Sequence, residues 1–432
     1  MSRLFDSGTS NVAKLTQTCL SLPPPHQGPT PPPHIRMCDS IDSDGGATTL
    51  PSPTPTPTPP PPCSRCKEHA GTIPVGPKLL CGGCAGDRLT RKVYKIFTRN
   101  EGTRVASGTR IAIGFSGSPS CVLLVAELLK ICAREHSPTY TLLPIHVREP
   151  GVSDELEAAA ATADLLSVAS SLGIDLISTS VEEELLGDAE VSVGDLMGNL
   201  SARSDREELA VVLRERALLS AAVRLGGELL VLGDTATQVA IDSLMHFVNG
   251  RGEQLHTRGQ VVSEWGAGLS VVRPLVDTLA SDVHAICAFD PEKYPVASRY
   301  TAAAAVGGGS APVSSASSSS LRGYTSNFIR SLQADFPATI QAVAKIVRKL
   351  ESPSLSPALC SVCRGPLPAT HAQPPPHAQY EDLVQSFGVV DTPDSSAPHA
   401  CYGCRHLLTD NGDGDHPRLP PSLIAEYIID DA

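Results

Sequence analysis

The sequence predicts an α/β fold in which a parallel sheet is covered by helices on both faces, with a cysteine-paired metal module on either side. Three observations carry this. Between residues 110 and 290 short apolar runs alternate with longer amphipathic ones. The short runs are apolar almost throughout, as strands buried on both faces must be. Eight of the 13 cysteines fall in four C-x-x-C pairs, two before this region and two after it.

Taken in order, residues 1–62 end in PSPTPTPTPPPP, a tract that favours extended polyproline conformation and offers little to a core. They are expected to form a disordered leader. Residues 63–104 open with Cys63-x-x-Cys66 and Cys81-x-x-Cys84, separated by 14 residues. Two facing pairs of thiolates complete a tetrahedron around one cation, so a zinc ribbon is expected, with Gly82-Gly83 suiting a tight knuckle. Free or redox-active thiols are the competing reading. Behind the pairs, Arg88, Arg91, Lys92, Lys95 and Arg99 interleave with Val93, Tyr94, Ile96 and Phe97. In a chain of net charge −12 this local basic patch suits a phosphodiester backbone, or else a solvated helix face.

Residues 105–300 hold the alternating pattern. RIAIGF, YTLLPIHV, IDLISTS, ELLVLGD and SVVRPL read as strands. PSCVLLVAELLKICARE, DELEAAAATADLLSVASSLG, DREELAVVLRERALLSAAVRLG, ATQVAIDSLMHFVNG and SDVHAICAFD read as helices. Cys132 and Cys287 fall on apolar helical faces and are expected in the core. Residues 301–320 are an Ala/Gly/Ser-rich flexible linker. Residues 321–432 begin with a helical segment, continue through Cys360-x-x-Cys363 and Cys401-x-x-Cys404 with a Pro-rich insertion between them, and end in LIAEYIIDDA. A long insertion costs little closure entropy, so a second four-thiolate zinc site is expected, although pairs could also combine across the chain. The acidic balance argues against general nucleic-acid coating, and no apolar run reaches the length of a membrane span. A soluble, cytoplasmic protein is expected.

The stretch IAIGFSGSPSC at 111–121 has the layout of a phosphate-binding turn: a buried strand, small residues, then a helix start. Ser118 suits an N-cap and Pro119 the first helical position. The turn Ser116-Gly117-Ser118-Pro119-Ser120-Cys121 resembles the ATP pyrophosphatase loop S-G-G-x-D-S at its first two positions. Ser118 stands for Gly, Ser120 for Asp and Cys121 for Ser. GDTATQVAIDSLMHFVNGRG at 233–252 resembles G-H-N-x-D-D-x-A-x-T, with Gly233, Ala240 and in part Thr235 fitting, and Asp234, Thr237 and Gln238 replacing His and two Asp. VVRPL at 271–275 resembles the R-x-P-L/F strand of the same fold. With Met37-Cys38, the four C-x-x-C pairs and the basic segment, the whole is similar to the cytoplasmic tRNA 2-thiolation protein 2 family. That similarity spans residues 37–432 and leaves 1–36 as an extension.

The resemblance implies an adenine nucleotide alpha-hydrolase-like fold of the PP-loop type. It also implies a heterodimer with a catalytic thiolation paralogue, which modifies the wobble uridine (U34) of tRNAs for Lys, Glu and Gln. Sulfur would come from a thiocarboxylated ubiquitin-related modifier, and ATP would be used by the partner. Ser116, Gly117, Ser118, Ser120 and Gly233 are the remnant nucleotide site. Without a carboxylate at Ser120, a magnesium-bound pyrophosphate lacks a partner there. The helix DREELAVVLRERALLSAA has no cysteine where the resemblance places the sulfur-transferring thiols. The chain is therefore expected to be non-catalytic. Cys121 is either a small packing residue or, at a helix start, a reactive thiol. The competing functions are an ATP-dependent sulfurtransferase active alone and a zinc-ribbon scaffold without a role in tRNA.

Overall fold

The computed structural model describes residues 60–75, 77–98, 105–134, 139–148, 155–186, 192–198, 200–266, 268–300, 320–351, 355–360, 362–368 and 401–409. The expectations for the leader up to residue 59, for Arg99, for the linker up to residue 319, for the Pro-rich insertion and for the tail concern residues outside these, while Pro62, at the expected end of the leader, bridges to Ala70.

The chain enters through a short antiparallel hairpin, β1 (Ile73–Val75) and β2 (Lys78–Leu80), followed by α1 (Gly82–Thr98). Leu89, Val93 and Phe97 recur four residues apart, so α1 presents one apolar stripe. That stripe packs into the same apolar cluster as α2 (Pro119–Cys132), which follows β3 (Arg110–Gly114). In α2, ten of 14 residues are buried, which explains a helix apolar on nearly every side.

After β3 and α2 come β4 (Thr141–Val147), α3 (Glu155–Leu172), β5 (Ile177–Thr179), α4 (Val193–Gly198) and α5 (Arg203–Arg224). The chain then returns through β6 (Leu229–Val231), α6 (Ala236–Val248), α7 (Leu255–Gly259), β7 (Val262–Gly266), β8 (Leu269–Val272) and α8 (Ala280–Phe289). The sheet order is β5-β4-β3-β6-β8-β7. The five strands expected from sequence are all parallel to one another. The sixth, β7, is an addition: it pairs antiparallel with β8 at the sheet edge. Its sequence VSEWG carries a glutamate and lacks the continuous apolar run of an interior strand, as an edge strand can. Ile111 and Ile113 on the central β3 are fully buried.

α9 (Leu321–Asp335) and α10 (Pro337–Arg348) lie on α6, with Ile329, Ile340, Ala344 and Val347 closing a third apolar cluster around Val239, Ala240 and Met245. Ser320 caps α9 by accepting the Gly323 N–H at 3.0 Å. A second hairpin, β9 (Leu355–Leu359) with β10 (Pro366–Pro368), and α11 (Tyr402–Thr409) complete the described chain. From β3 the connections lead outward to β4 and β5, then return to β6 on the other side. Ligands in open α/β sheets bind at such a reversal, beyond the carboxyl ends of the strands.

Candidate functional site

Both sequence-identified glycines of the loop region sit at this reversal. Gly117 has a φ of +71°, a left-handed value that favours glycine. A Cβ there would stand 2.5 Å from Leu165 and 2.7 Å from Ala297. A Cβ on Gly233, just after β6, would stand 2.8 Å from Ser120 Oγ and 3.2 Å from the Cys121 nitrogen. The end of β6 therefore passes directly against the start of α2.

Pro119 occupies the first turn of α2 as expected, but Ser118 does not cap the helix with its side chain. Its hydroxyl accepts from Ser116 Oγ at 3.1 Å and lies 3.2 Å from Ser120 Oγ. The three hydroxyls thus bond along the loop, which competes with capping. Cys121 is 2 % exposed. Its Sγ accepts the Ser116 N–H at 3.4 Å and donates to the Ser118 carbonyl at 3.2 Å. The thiol holds the loop together. The N–H groups of Ser118, Ser120 and Cys121 meet no acceptor among the described residues, as is usual for the first turn of a helix.

A cavity of about 860 Å³ opens above the loop and is lined by Ser116, Ser118, Ser120 and Gly233. Gly117 does not line it, because it faces Leu165 and Ala297. The cavity wall carries ion pairs. Arg273, from the VVRPL strand, donates to Asp234 at 3.0 Å and also to Ser263 at 2.9 Å. Burial raises the pKa of the Asp234 carboxyl despite this arginine. Arg258 makes a two-pronged contact with Glu215. Burial alone would raise Glu215, but Arg258 outweighs it and holds its pKa at about 2. Arg322 of α9 donates to Asp242 at 2.9 Å.

The eight paired cysteines come together in two groups, Cys63/Cys66/Cys81/Cys84 and Cys360/Cys363/Cys401/Cys404, with all four sulfurs of each within 4.8 Å of one another. The pairs combine locally, and not across the chain. Around a zinc ion with Zn–S bonds of about 2.3 Å, tetrahedral sulfurs lie about 3.8 Å apart. The Cys66–Cys81 and Cys363–Cys401 separations are both 3.8 Å, so each group fits a single ion.

The two groups share one local design. In each, the first pair forms a knuckle closed by an N–H to carbonyl bond, Lys67 to Cys63 at 3.0 Å and Arg364 to Cys360 at 2.9 Å. Lys67 and Arg364 take left-handed φ values of 62° and 59°. The second pair begins a helix, α1 in one case and α11 in the other. Gly82-Gly83 is accordingly not a second knuckle but the start of α1. A Cβ on Gly82 would stand 2.4 Å from Phe289 Cβ, so the glycine permits α1 to press against α8. His69 lies 3.8 Å from Cys66 Sγ, and this hydrogen bond is the main reason the Cys66 thiol falls to about 5. Cys363 also lines the central cavity and accepts from Gln254 at 3.4 Å, which places the second group in the cavity wall.

On α1 the basic residues separate. Arg88, Arg91 and Lys95 are exposed on one face, while Lys92 is half-buried and pairs with Asp277. Sequence reasoning missed all the arginines of the cavity but Arg273: Arg214, Arg258, Arg299, Arg322, Arg330 and Arg364. The signal for two of them was present, since Arg322, Ser326 and Arg330 recur every four residues and all line the cavity.

A family model described as cytoplasmic tRNA 2-thiolation protein 2 matches residues 320–406. A curated protein of that description from Schizosaccharomyces pombe is 23% identical over 367 residues, covering 79% of this chain and 91% of its own length. One from Phaeosphaeria nodorum is 23% identical over 376 residues, covering 81% and 95%. One from Oryza sativa subsp. japonica is 28% identical over 260 residues, covering 54% and 53%. Among solved structures, the U34-tRNA thiolase NcsA from Methanococcus maripaludis, with its 4Fe-4S cluster, has a TM-score of 0.51 at 15% identity. The match covers 77% of this chain and 98% of that one, a likeness of fold. None of the described helices is long and apolar enough to cross a membrane.

Proposed function

Since the chain belongs to the cytoplasmic tRNA 2-thiolation protein 2 family, we propose that it is the non-catalytic subunit of a cytoplasmic tRNA thiolase. In this reading it acts with a catalytic paralogue on the wobble uridine of tRNAs for Lys, Glu and Gln. The paralogue uses ATP and receives sulfur from a thiocarboxylated ubiquitin-related modifier. The observation that carries the reading is the loop. It keeps the strand, the turn and the helix start, yet Ser120 offers no carboxylate, and Cys121 is enclosed by its own loop. A protein thiol that transfers sulfur must reach its substrate as a thiolate. Buried against its own loop, Cys121 does not reach a substrate.

Zinc held by the two cysteine groups would supply structure, with α1 and α11 fixed by their first turns. The exposed Arg88, Arg91 and Lys95 would meet the tRNA backbone, and Arg99 follows them in sequence. Lys92, tied to Asp277, would contribute less. The remnant nucleotide site at Ser116, Gly117, Ser118, Ser120 and Gly233 would bind at most, and not turn over. The test is the purified chain incubated with ATP and U34-containing tRNA. No AMP or pyrophosphate is expected without the paralogue. Release of both, stopped by Cys121→Ala, would instead establish an independent sulfurtransferase.

A further inference from the structure

The end of α10 presents an apolar pair beside a basic stripe. Ile346 is 62 % exposed and Leu350, one turn on, is 38 % exposed. Lys345 and Lys349, also one turn apart, run alongside them, and Arg348 follows the helix round. All three cations are exposed, and none is in an ion pair among the described residues. The backbone here is fixed against α7: a Cβ on Gly259 would stand 2.6 Å from the Arg348 nitrogen, and Gln260 Nε2 donates to the Arg348 carbonyl at 3.0 Å. The charges of Arg348 and Arg88 both act on Lys92, so this end of α10 adjoins the basic face of α1. Apolar side chains left in water beside unopposed cations favour a cover that is itself apolar and acidic.

The chain carries such a cover in its own sequence. LIAEYIIDD at 423–431 combines Leu423, Ile424, Tyr427, Ile428 and Ile429 with three acids, Glu426, Asp430 and Asp431, and holds no Lys or Arg. It is also within reach. Tyr402, at the start of α11, packs on Gly250, and the helical turns of Gly252–Gly259 lead from there to Arg348. With the length of α11 added, Thr409 lies within about 35 Å of the end of α10. Residues 410–422 can span about 45 Å when extended. We propose that residues 423–431 lie across the end of α10, with their apolar side chains on Ile346 and Leu350 and their carboxylates toward Lys345 and Lys349.

The test is hydrogen exchange, read by mass spectrometry on the full-length chain without a partner. Amides of 423–431 should exchange about tenfold or more slowly than in an isolated peptide of the same sequence. Ile346→Asp should return them to the peptide's rate, and so should Lys345→Glu combined with Lys349→Glu. Adding Asp430→Lys and Asp431→Lys to that double variant should restore part of the protection, which a merely unfolded variant could not do. The α10 positions are exposed, and thermal unfolding reports whether each variant folds. Exchange at the peptide's rate in the parent chain would overturn the proposal, as would protection left unchanged by Ile346→Asp. Protection that rises with protein concentration would overturn it in favour of a second copy of the chain. Protection that appears only with the catalytic paralogue present would overturn it in favour of a contact between subunits.

Discussion

Single residues in the loop and its surroundings act through space as much as through chemistry. Gly117 combines a left-handed φ with neighbours that leave no room for a methyl group. Gly117→Ala should therefore lower stability by about 1–3 kcal/mol, measured by denaturant unfolding, because overpacking adds to backbone strain. His246 is 4 % exposed, and its Nδ1 lies 2.8 Å from the Asp242 carbonyl. Burial holds its pKa down, to about 3 from an ordinary 6.5. The unfolded chain thus takes up this proton first as pH falls. The stability His246 contributes is complete above about pH 6.5 and is lost as pH drops toward 3. The unfolding midpoint of the protein should decline over that window, and His246→Gln should flatten the decline. An equally steep decline in the variant would contradict this.

At the scale of elements, the cysteine groups and the helices they start are the units to test. Each group should hold one zinc ion, so metal analysis of the purified chain should return about two per molecule. Cys360→Ser should release one of them. Because Cys363 accepts from Gln254 in the cavity wall, and Tyr402 packs over Gly250 at the end of α6, the same variant should increase hydrogen exchange at the α6 C-terminus. On α1, replacing Arg88, Arg91 and Lys95 together by glutamine should weaken tRNA binding. The salt dependence of binding should become shallower by about one in slope for each phosphate no longer neutralised.

Much at this scale was legible in the sequence. The strands of the parallel sheet were plain because each lies in a short, largely apolar run, and the cysteine pairs were plain because tetrahedral ligation fixes their spacing. β7 was not, since an edge strand with Glu264 and Trp265 has no continuous apolar run, although Gly266-Ala267-Gly268 at its end is a hairpin signal. The helical start at Cys81-Gly82-Gly83-Cys84 was hidden too. Two glycines suggest a turn, whereas here they allow α1 to approach Phe289. The ion pairs of the cavity join residues far apart in sequence, such as Glu215 with Arg258 and Asp242 with Arg322, and no local pattern announces them.

For the whole molecule, the fold of a thiolase is joined to a loop without its carboxylate and a helix α5 without cysteine. The paired cysteines form two groups, and one of them borders the cavity. On the proposed function, the molecule keeps a thiolase-like fold and gives binding surface in place of turnover. The most direct measurement is mass-spectrometric quantification of 2-thiouridine at the wobble position of tRNAs for Lys, Glu and Gln. It would be made in cells lacking this chain and in cells complemented with the parent or with Cys121→Ser. Thiolation should disappear on deletion and return equally with parent and variant. Unchanged thiolation on deletion, or failure of Cys121→Ser to restore it while the variant is folded and abundant, would contradict a non-catalytic role in tRNA thiolation.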